Sequence, residues 1–413
     1  MIKIPKGTKD VLPEESYKWH YVEEQIREIT ALYNAKEIRT PTFEHTELFL
    51  RGVGETTDVV NKEMYTFLDK GERSITLKAE GTAGCVRSFI ENNLSQSLPL
   101  RAYYITPVFR YERPQAGRLR EHHQFGVEYF GLYTPEADAE VISIAKTLFN
   151  RLGLNPKLYI NSIGCSECRK DYHKALTEYL SDNEDKLCPT CQERLKKNPL
   201  RVLDCKVPTC KELLQNAPSV LDYLCDDCKA HHEGLKHTLT LLGIDYQENP
   251  KIVRGLDYYT RTVFEFVSEG LGSQDTVCGG GRYNNLVESL GGKPCPAVGF
   301  GMGIERLLLT VEAMGNDIPN TESVDVYVCN AGQKDYSLTL VNKLRNIGVS
   351  ALTEYGEKSI KAQMKYADKI GAHFTLVIGD REVENNQVTV KDMLNGTSED
   401  IQLDNIIEYF KRR

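Results

Sequence analysis

Pro296-Ala-Val-Gly-Phe-Gly-Met-Gly-Ile-Glu-Arg306 passes from a glycine-punctuated strand into a helix that begins near Ile304. Glycine at every second position strips one face of the strand of side chains, so backbone or a ligand can approach it closely. The N-terminus of the following helix favours an anion, and Arg306 falls in its first turn. Plain helix–sheet packing would use the same residues, so the meaning of the run depends on its neighbours.

One neighbour is Val108-Phe109-Arg110-Tyr111-Glu112-Arg113-Pro114, which closes a β-rich stretch spanning Ala102–Glu112. Strand side chains alternate, which puts Arg110 and Glu112 on one face. A guanidinium fork suits a phosphate, and a nearby carboxylate can accept from a base amine. The loop Arg113–His122 adds Arg113, Arg118 and Arg120 with Gln115, a set suited to clamping a polyanion. In the next strand, His123–Gly131, Gln124, Gly126 and Glu128 share a face while Phe125 and Val127 take the other. Polar groups with a glycine between them imply a lined pocket, although a solvated strand face reads the same way.

Elsewhere the pattern is mixed. Residues 14–34 read as an amphipathic helix through Val22, Ile26, Ile29 and Tyr33. Met64–Asp69 and Ser74–Lys78 read as a hairpin about Lys70-Gly71-Glu72, residues 138–152 as a helix, and Lys157–Ile163 as a strand. Between about 164 and 248 charged helical segments replace the β pattern, as in a helical insertion. The β pattern returns in Ile252–Arg254 and Thr262–Ser268, with a glycine-dense turn at Gly279-Gly280-Gly281. From 323 onward strand, helix, strand, helix and strand follow in Val324–Cys329, Tyr336–Ile347, Val349–Glu354, Ser359–Ile370 and Phe374–Ile378. That order is the signature of a small parallel α/β domain. The expected division is 1–322 and 323–413.

The 413 residues hold 40% hydrophobic and 27% charged positions, which excludes a disordered or fibrous chain. No apolar run approaches the roughly 20 residues that cross a bilayer. Pro5 interrupts the N-terminus too soon for a signal peptide, so no membrane partner and a cytoplasmic location are expected. A net charge of −8 argues against a polyanionic partner only on average, since nucleic acid responds to local basic patches. Eight of the twelve cysteines fall in the insertion as Cys165-x-x-Cys168, Cys188-x-x-Cys191, Cys205-x4-Cys210 and Cys225-x-x-Cys228. Paired thiols in a reducing compartment point to structural zinc. Nesting suggests an outer site from Cys165, Cys168, Cys225 and Cys228, and an inner one from Cys188, Cys191, Cys205 and Cys210. Buried free thiols are the bland alternative.

Taken together, Phe109-Arg110-x-Glu112 resembles motif 2 of the class II aminoacyl-tRNA synthetases, and Gly299-x-Gly301-x-Gly303-Ile-Glu-Arg306 resembles their motif 3. The region around Pro41 resembles the looser motif 1. Val253-Arg254-Gly255-Leu-Asp-Tyr-Tyr-Thr-Arg261 and Cys278-Gly-Gly-Gly-Arg-Tyr283 resemble the signatures of the histidine-specific members, and Glu80-Gly-Thr-Ala-Gly84 and Gly7-Thr-Lys-Asp10 match as well. The resemblance runs from end to end. It implies an α+β catalytic domain with an antiparallel sheet and a helical insertion, followed by an α/β anticodon-binding domain. It also implies a homodimer that joins L-histidine to tRNA(His) through a histidyl-adenylate, consuming ATP with Mg2+.

The same resemblance assigns roles. Arg110 should hold the α-phosphate, Glu112 the adenine amino group and Arg306 the γ-phosphate, with Arg118 and His122 beside the nucleotide. Arg254 should reach the α-phosphate from the side opposite Arg110. Glu128 and Tyr259 should bracket the imidazole, Glu80 and Thr82 the α-amino group, and Gln124 the carboxylate, with Tyr258 and Tyr283 as walls. Three positions depart from the family: Lys78-Ala79 stands for Arg-Pro, Phe266 for Trp, and His122 for a stacking aromatic. A stripe of Lys358, Lys361, Lys365 and Lys369 on the second C-terminal helix is expected to meet tRNA, with Ile360, Met364, Ala367 and Ile370 turned elsewhere.

Overall fold

In the strands Leu100–Phe109 and Glu121–Phe130 the period of two separates a helix-covered face from a polar one. Tyr103, Phe125, Val127 and Tyr129 enter the main core, whereas Tyr104 and Phe130 turn to the opposite side. The coordinates are a computed structural model, and they describe residues 1–54, 57–115, 117–268, 276–320 and 323–412. The chain divides into two units, Met1–Ile318 and Pro319–Arg413. Thr321 and Glu322, at the boundary read from the sequence, lie outside the described residues.

Among the described residues the first unit holds a sheet ordered Lys36–Glu37, Leu100–Phe109, Glu121–Phe130, Ala297–Gly303, Thr276–Arg282, Thr260–Val267, Lys157–Ser162 and Gln247–Glu248. Pairing is antiparallel except for the two-residue strands at the edges, which pair parallel. Helices Pro13–Leu32, Pro135–Arg151 and Ile304–Ala313 cover one face with Val22, Ile26, Val141, Leu148 and Leu307. The other face stays open enough to carry a site.

Three expectations for this unit change. Gly279-Gly280-Gly281 is no turn but the middle of the strand Thr276–Arg282. A side chain at Gly280 would strike Phe264 and Phe300, so glycine here lets strands pack rather than letting the chain reverse. Ile252–Arg254 is irregular rather than a strand, because Val253 packs into the core of the insertion. Leu100–Phe109 ends before Arg110, so Arg110 and Glu112 lie just past the strand, and the Glu112 N–H folds back onto the Arg110 carbonyl at 2.7 Å.

The insertion has its own small core of Tyr172, Leu176, Cys191, Leu195 and Cys210, contributed by Ser166–Ser181, Pro189–Lys197 and Pro208–Leu213. Its last helix, Asp226–Leu241, instead sends Leu235 and Leu239 into the main core.

The second unit has a sheet ordered Ala351–Thr353, Val326–Ala331, Phe374–Gly379, Gln387–Asp392 and Ser398–Gln402. The first three strands are parallel and the last two add antiparallel, so the sheet is mixed rather than wholly parallel. Ser398–Gln402 is polar and largely exposed, and therefore carries no periodic apolar signal. Helix Ile360–Lys369 buries Ala367 and exposes Lys361, Lys365 and Lys369. Lys358 precedes that helix and pairs with Glu354 at 3.1 Å.

Candidate active site

Missing side chains create the site. Gly299 lies opposite Glu128 in the sheet, and a Cβ there would collide with the Glu128 carboxylate. A Cβ at Gly301 would collide with the Gln124 amide, and one at Gly126 or Gly81 with the Tyr104 ring. These glycines let polar side chains lie flat across neighbouring strands.

Glu128 is fully buried. It accepts from the Thr82 hydroxyl at 2.7 Å, from Tyr104 at 3.1 Å and from Tyr283. Burial lifts its carboxyl to about 8 even though the donors oppose that rise. Beside it Glu80 accepts the N–H groups of Thr82 at 3.0 Å and Ala83 at 2.6 Å, with the Tyr258 hydroxyl at 3.4 Å. Burial holds the Glu80 carboxyl above its ordinary range as well. Gln124 accepts from the Gly81 N–H at 3.0 Å. The Tyr258 ring stands 4.6 Å from that of Tyr259 and 5.5 Å from that of Tyr283. The result is an aromatic-lined cluster with two buried carboxylates.

Gln124 also borders a cleft of about 740 Å3 lined by Arg110, Arg118, His122, Arg254 and Arg306. Arg110 is oriented by its Nε–H on the Ala79 carbonyl at 2.8 Å, and Arg118 meets Glu112 at 3.0 Å. Arg306 donates to the carbonyls of Thr276 at 2.7 Å and Gly117 at 3.1 Å. Burial and then Arg118 lower its pKa, a sign of crowded positive charge. His122 is driven down to about 3 by burial and by Arg110 and Arg306, so its ring is neutral near pH 7. Burial opposes the charge on Arg254, but its pairing with Glu265 together with the neighbouring Tyr259 and Cys278 outweighs that and holds the guanidinium firmly charged. Several fixed cations around one cleft suit a phosphate chain.

A family model described as Histidyl-tRNA synthetase matches residues 7–307. The chain belongs to the histidyl-tRNA synthetases. A second model, Anticodon binding domain, matches residues 323–413. The histidine–tRNA ligase of Caldanaerobacter subterraneus subsp. tengcongensis is 57% identical over 415 residues, covering all of both chains. That of Acetivibrio thermocellus is 54% identical, again over the whole of each chain. The crystal structure of apo Staphylococcus aureus histidyl-tRNA synthetase superposes with a TM-score of 0.85 at 44% identity, covering all of both chains.

The structure gathers the sequence-predicted residues into two adjoining places. Glu80, Thr82, Gln124, Glu128, Tyr258, Tyr259 and Tyr283 form the buried cluster. Arg110, Glu112, Arg118, His122, Arg254 and Arg306 line the cleft. Sequence reasoning missed Tyr104, Glu265 and the buried pair Arg282–Asp138 with His231, which ties the end of the glycine strand to two helices. Tyr104 sits directly opposite Gly126, and an aromatic facing a glycine across two strands was a usable signal. Lys78, where the family has arginine, is 2% exposed and donates to the Thr40 carbonyl at 3.2 Å. Burial lowers its pKa to about 8.

The eight insertion cysteines form two groups, Cys165 with Cys168, Cys225 and Cys228, and Cys188 with Cys191, Cys205 and Cys210. Within each group the Sγ atoms all lie within 4.8 Å of one another. Four thiolates about 2.3 Å from a tetrahedral zinc stand roughly 3.8 Å apart, so the donor sets fit. Main-chain N–H groups already point at sulfur, from Cys225 to Cys168 at 3.1 Å and from Cys188 to Cys210 at 3.2 Å.

Proposed function

We infer that the protein ligates L-histidine to tRNA(His) in two steps, activating histidine with ATP and then passing the acyl group to the terminal ribose. The observation that carries this reading is the buried, hydroxyl-ringed Glu128 on the same strand as His122 and Gln124, which line a cleft of fixed arginines. A neutral imidazole offers one N–H and one acceptor nitrogen. Glu128 takes the N–H and Tyr259 faces the other side. Glu80 and Thr82 take the α-ammonium group, Gln124 the carboxylate, and Tyr258 and Tyr283 exclude water.

ATP enters as its magnesium complex, the metal spreading charge over the phosphates. Arg110 and Arg254 flank the α-phosphate, Glu112 accepts from the adenine amine beside a neutral His122, and Arg306 and Arg118 hold the far phosphates. The histidine carboxylate attacks the α-phosphorus and pyrophosphate leaves. Cations set in place beforehand stabilise the charge that develops without reorganising. Zinc on the two cysteine groups would brace the insertion. A homodimer and contact between the Lys361, Lys365 and Lys369 face and tRNA complete the proposal.

A non-catalytic synthetase-like regulatory subunit of ATP phosphoribosyltransferase is not favoured, because full-length ligases match at 57% and 54% identity. The deciding experiment is histidine-dependent ATP–pyrophosphate exchange by the purified chain. Exchange with histidine alone among the amino acids supports the reading, and no exchange sinks it.

A further inference from the structure

We propose that Arg201, a residue of the insertion, is a positioning residue for the adenylation step, acting by holding the segment that carries Arg254. This inference rests on the role given above to Arg254.

The segment 252–258 is irregular, so no sheet pairing fixes it. Part of its hold comes from the insertion, beside the Asp257 N–H on the Val53 carbonyl at 3.2 Å and the Asn161 amide on the Ile252 carbonyl at 3.0 Å. Val253 packs into the insertion core. Arg201 Nη2 donates to the Gly255 carbonyl at 2.8 Å and to Asp257 Oδ1 at 3.1 Å, bridging the residues just after Arg254. The Asn198 amide reaches the same carboxylate oxygen at 3.5 Å. With only 14% of its side chain exposed, Arg201 makes these bonds where water competes poorly.

Arg201 is itself held. The Arg194 guanidinium donates to the Arg201 carbonyl at 3.1 Å and to Asp58 at 3.3 Å, which ties the insertion to the residue preceding the short helix Val59–Glu63 at the cleft's edge. Both arginines lie between Cys191 and Cys205, inside the stretch that the inner cysteine group closes. Cys188 and Cys205 border the same cleft as Arg254. A helical excursion of the chain thus forms one wall of the catalytic cleft and grips the irregular segment that carries Arg254. A guanidinium that drifts by about 1 Å from the reacting phosphate can lose on the order of 100-fold in rate.

The test uses the full-length protein with Arg201→Ala, Arg201→Lys and Asp257→Asn, assayed by pyrophosphate exchange, thermal melting and amide hydrogen exchange. Arg201→Ala should lower kcat by about 10- to 100-fold while KM for ATP and histidine move far less. Arg201→Lys, which lacks the planar fork, should recover only part of the loss. Amides in 252–260 should exchange faster in Arg201→Ala, a readout that does not depend on what Arg254 does. In an Arg254→Lys background the Arg201→Ala loss should nearly vanish, since both changes remove the same contribution. Asp257→Asn should reproduce the pattern from the other partner, which covers the case of a poorly folded Arg201 variant. Wild-type kcat in Arg201→Ala overturns the inference, as does a loss that adds in full to that of Arg254→Lys. Intact exchange in Arg254→Lys alone, with amides still loosened by Arg201→Ala, would instead remove the role of Arg254 on which the inference stands.

Discussion

Gly279 is paired with Glu265 in the sheet, and the Arg254 guanidinium crosses directly over it to reach that carboxylate. In Gly279→Ala the new methyl group would stand 2.6 Å from both Cζ and Nη1 of Arg254. Nη2 is nearer still, and ordinary contact begins near 3.4 Å, so the guanidinium must retreat by about 1 Å. The three nearest atoms all belong to the far end of one flexible side chain, so the strand itself need not open. If Arg254 steadies the α-phosphate in the transition state, a shift of that size costs roughly 100-fold in rate, about 2.7 kcal/mol of barrier. Pyrophosphate exchange should therefore show kcat down by about two orders of magnitude, with KM for both substrates changed much less. Thermal melting run alongside separates this from unfolding. A well-folded Gly279→Ala protein with wild-type kcat would refute the role of Arg254, and a defect confined to KM for histidine would place the residue in the wrong step.

Above pH 8, where the Glu128 carboxyl is charged, Glu128→Gln removes that charge but keeps the volume, so KM for histidine measured there should rise about tenfold, the difference between a charged and a neutral hydrogen bond, while KM for ATP holds; equal rises would dismiss the imidazole contact. Because burial lifts the Glu128 carboxyl to about 8, it is protonated below that pH and charged above it. Histidine affinity should climb as pH passes through 8 in the wild type and stay flat in Glu128→Gln. The stability sign is opposite: between 4.5 and 8 the folded state holds this proton and the unfolded chain does not, so this group's contribution to stability falls as pH rises. Lys361→Glu, Lys365→Glu and Lys369→Glu together should weaken tRNA binding and flatten its salt dependence by about one unit of slope per lysine, leaving exchange untouched; unchanged aminoacylation would count against a tRNA-facing stripe. Protein purified without chelator should carry about two zinc ions, and eight readily titrated insertion thiols in metal-free, folded protein would rule the clusters out.

Much of the candidate site could be read from residue order alone. Period two put Gln124 and Glu128 on one face, because strand parity is a local property, whereas Arg254 and Tyr283 were singled out by the resemblance of their short strings to the family's signatures. The nested spacing of the cysteines already paired them as the structure does. What the chain order could not supply was contact between segments far apart in sequence. Gly279-Gly280-Gly281 looked like a turn, since glycine signals both reversal and close approach, and only its place beneath Arg254 and between Phe264 and Phe300 decides which. Glu265 and Tyr104 are ordinary strand residues until the sheet sets them against Arg254 and Glu128. The polar strand Ser398–Gln402 is recruited by hydrogen bonds to Gln387–Asp392, which leave no trace in hydrophobic pattern. Residue order therefore determined the chemistry this protein carries, family and reaction included. Tertiary structure alone decided what holds that chemistry in place, because the grip of Arg201 on Gly255 and Asp257 joins residues 54 and 56 positions apart.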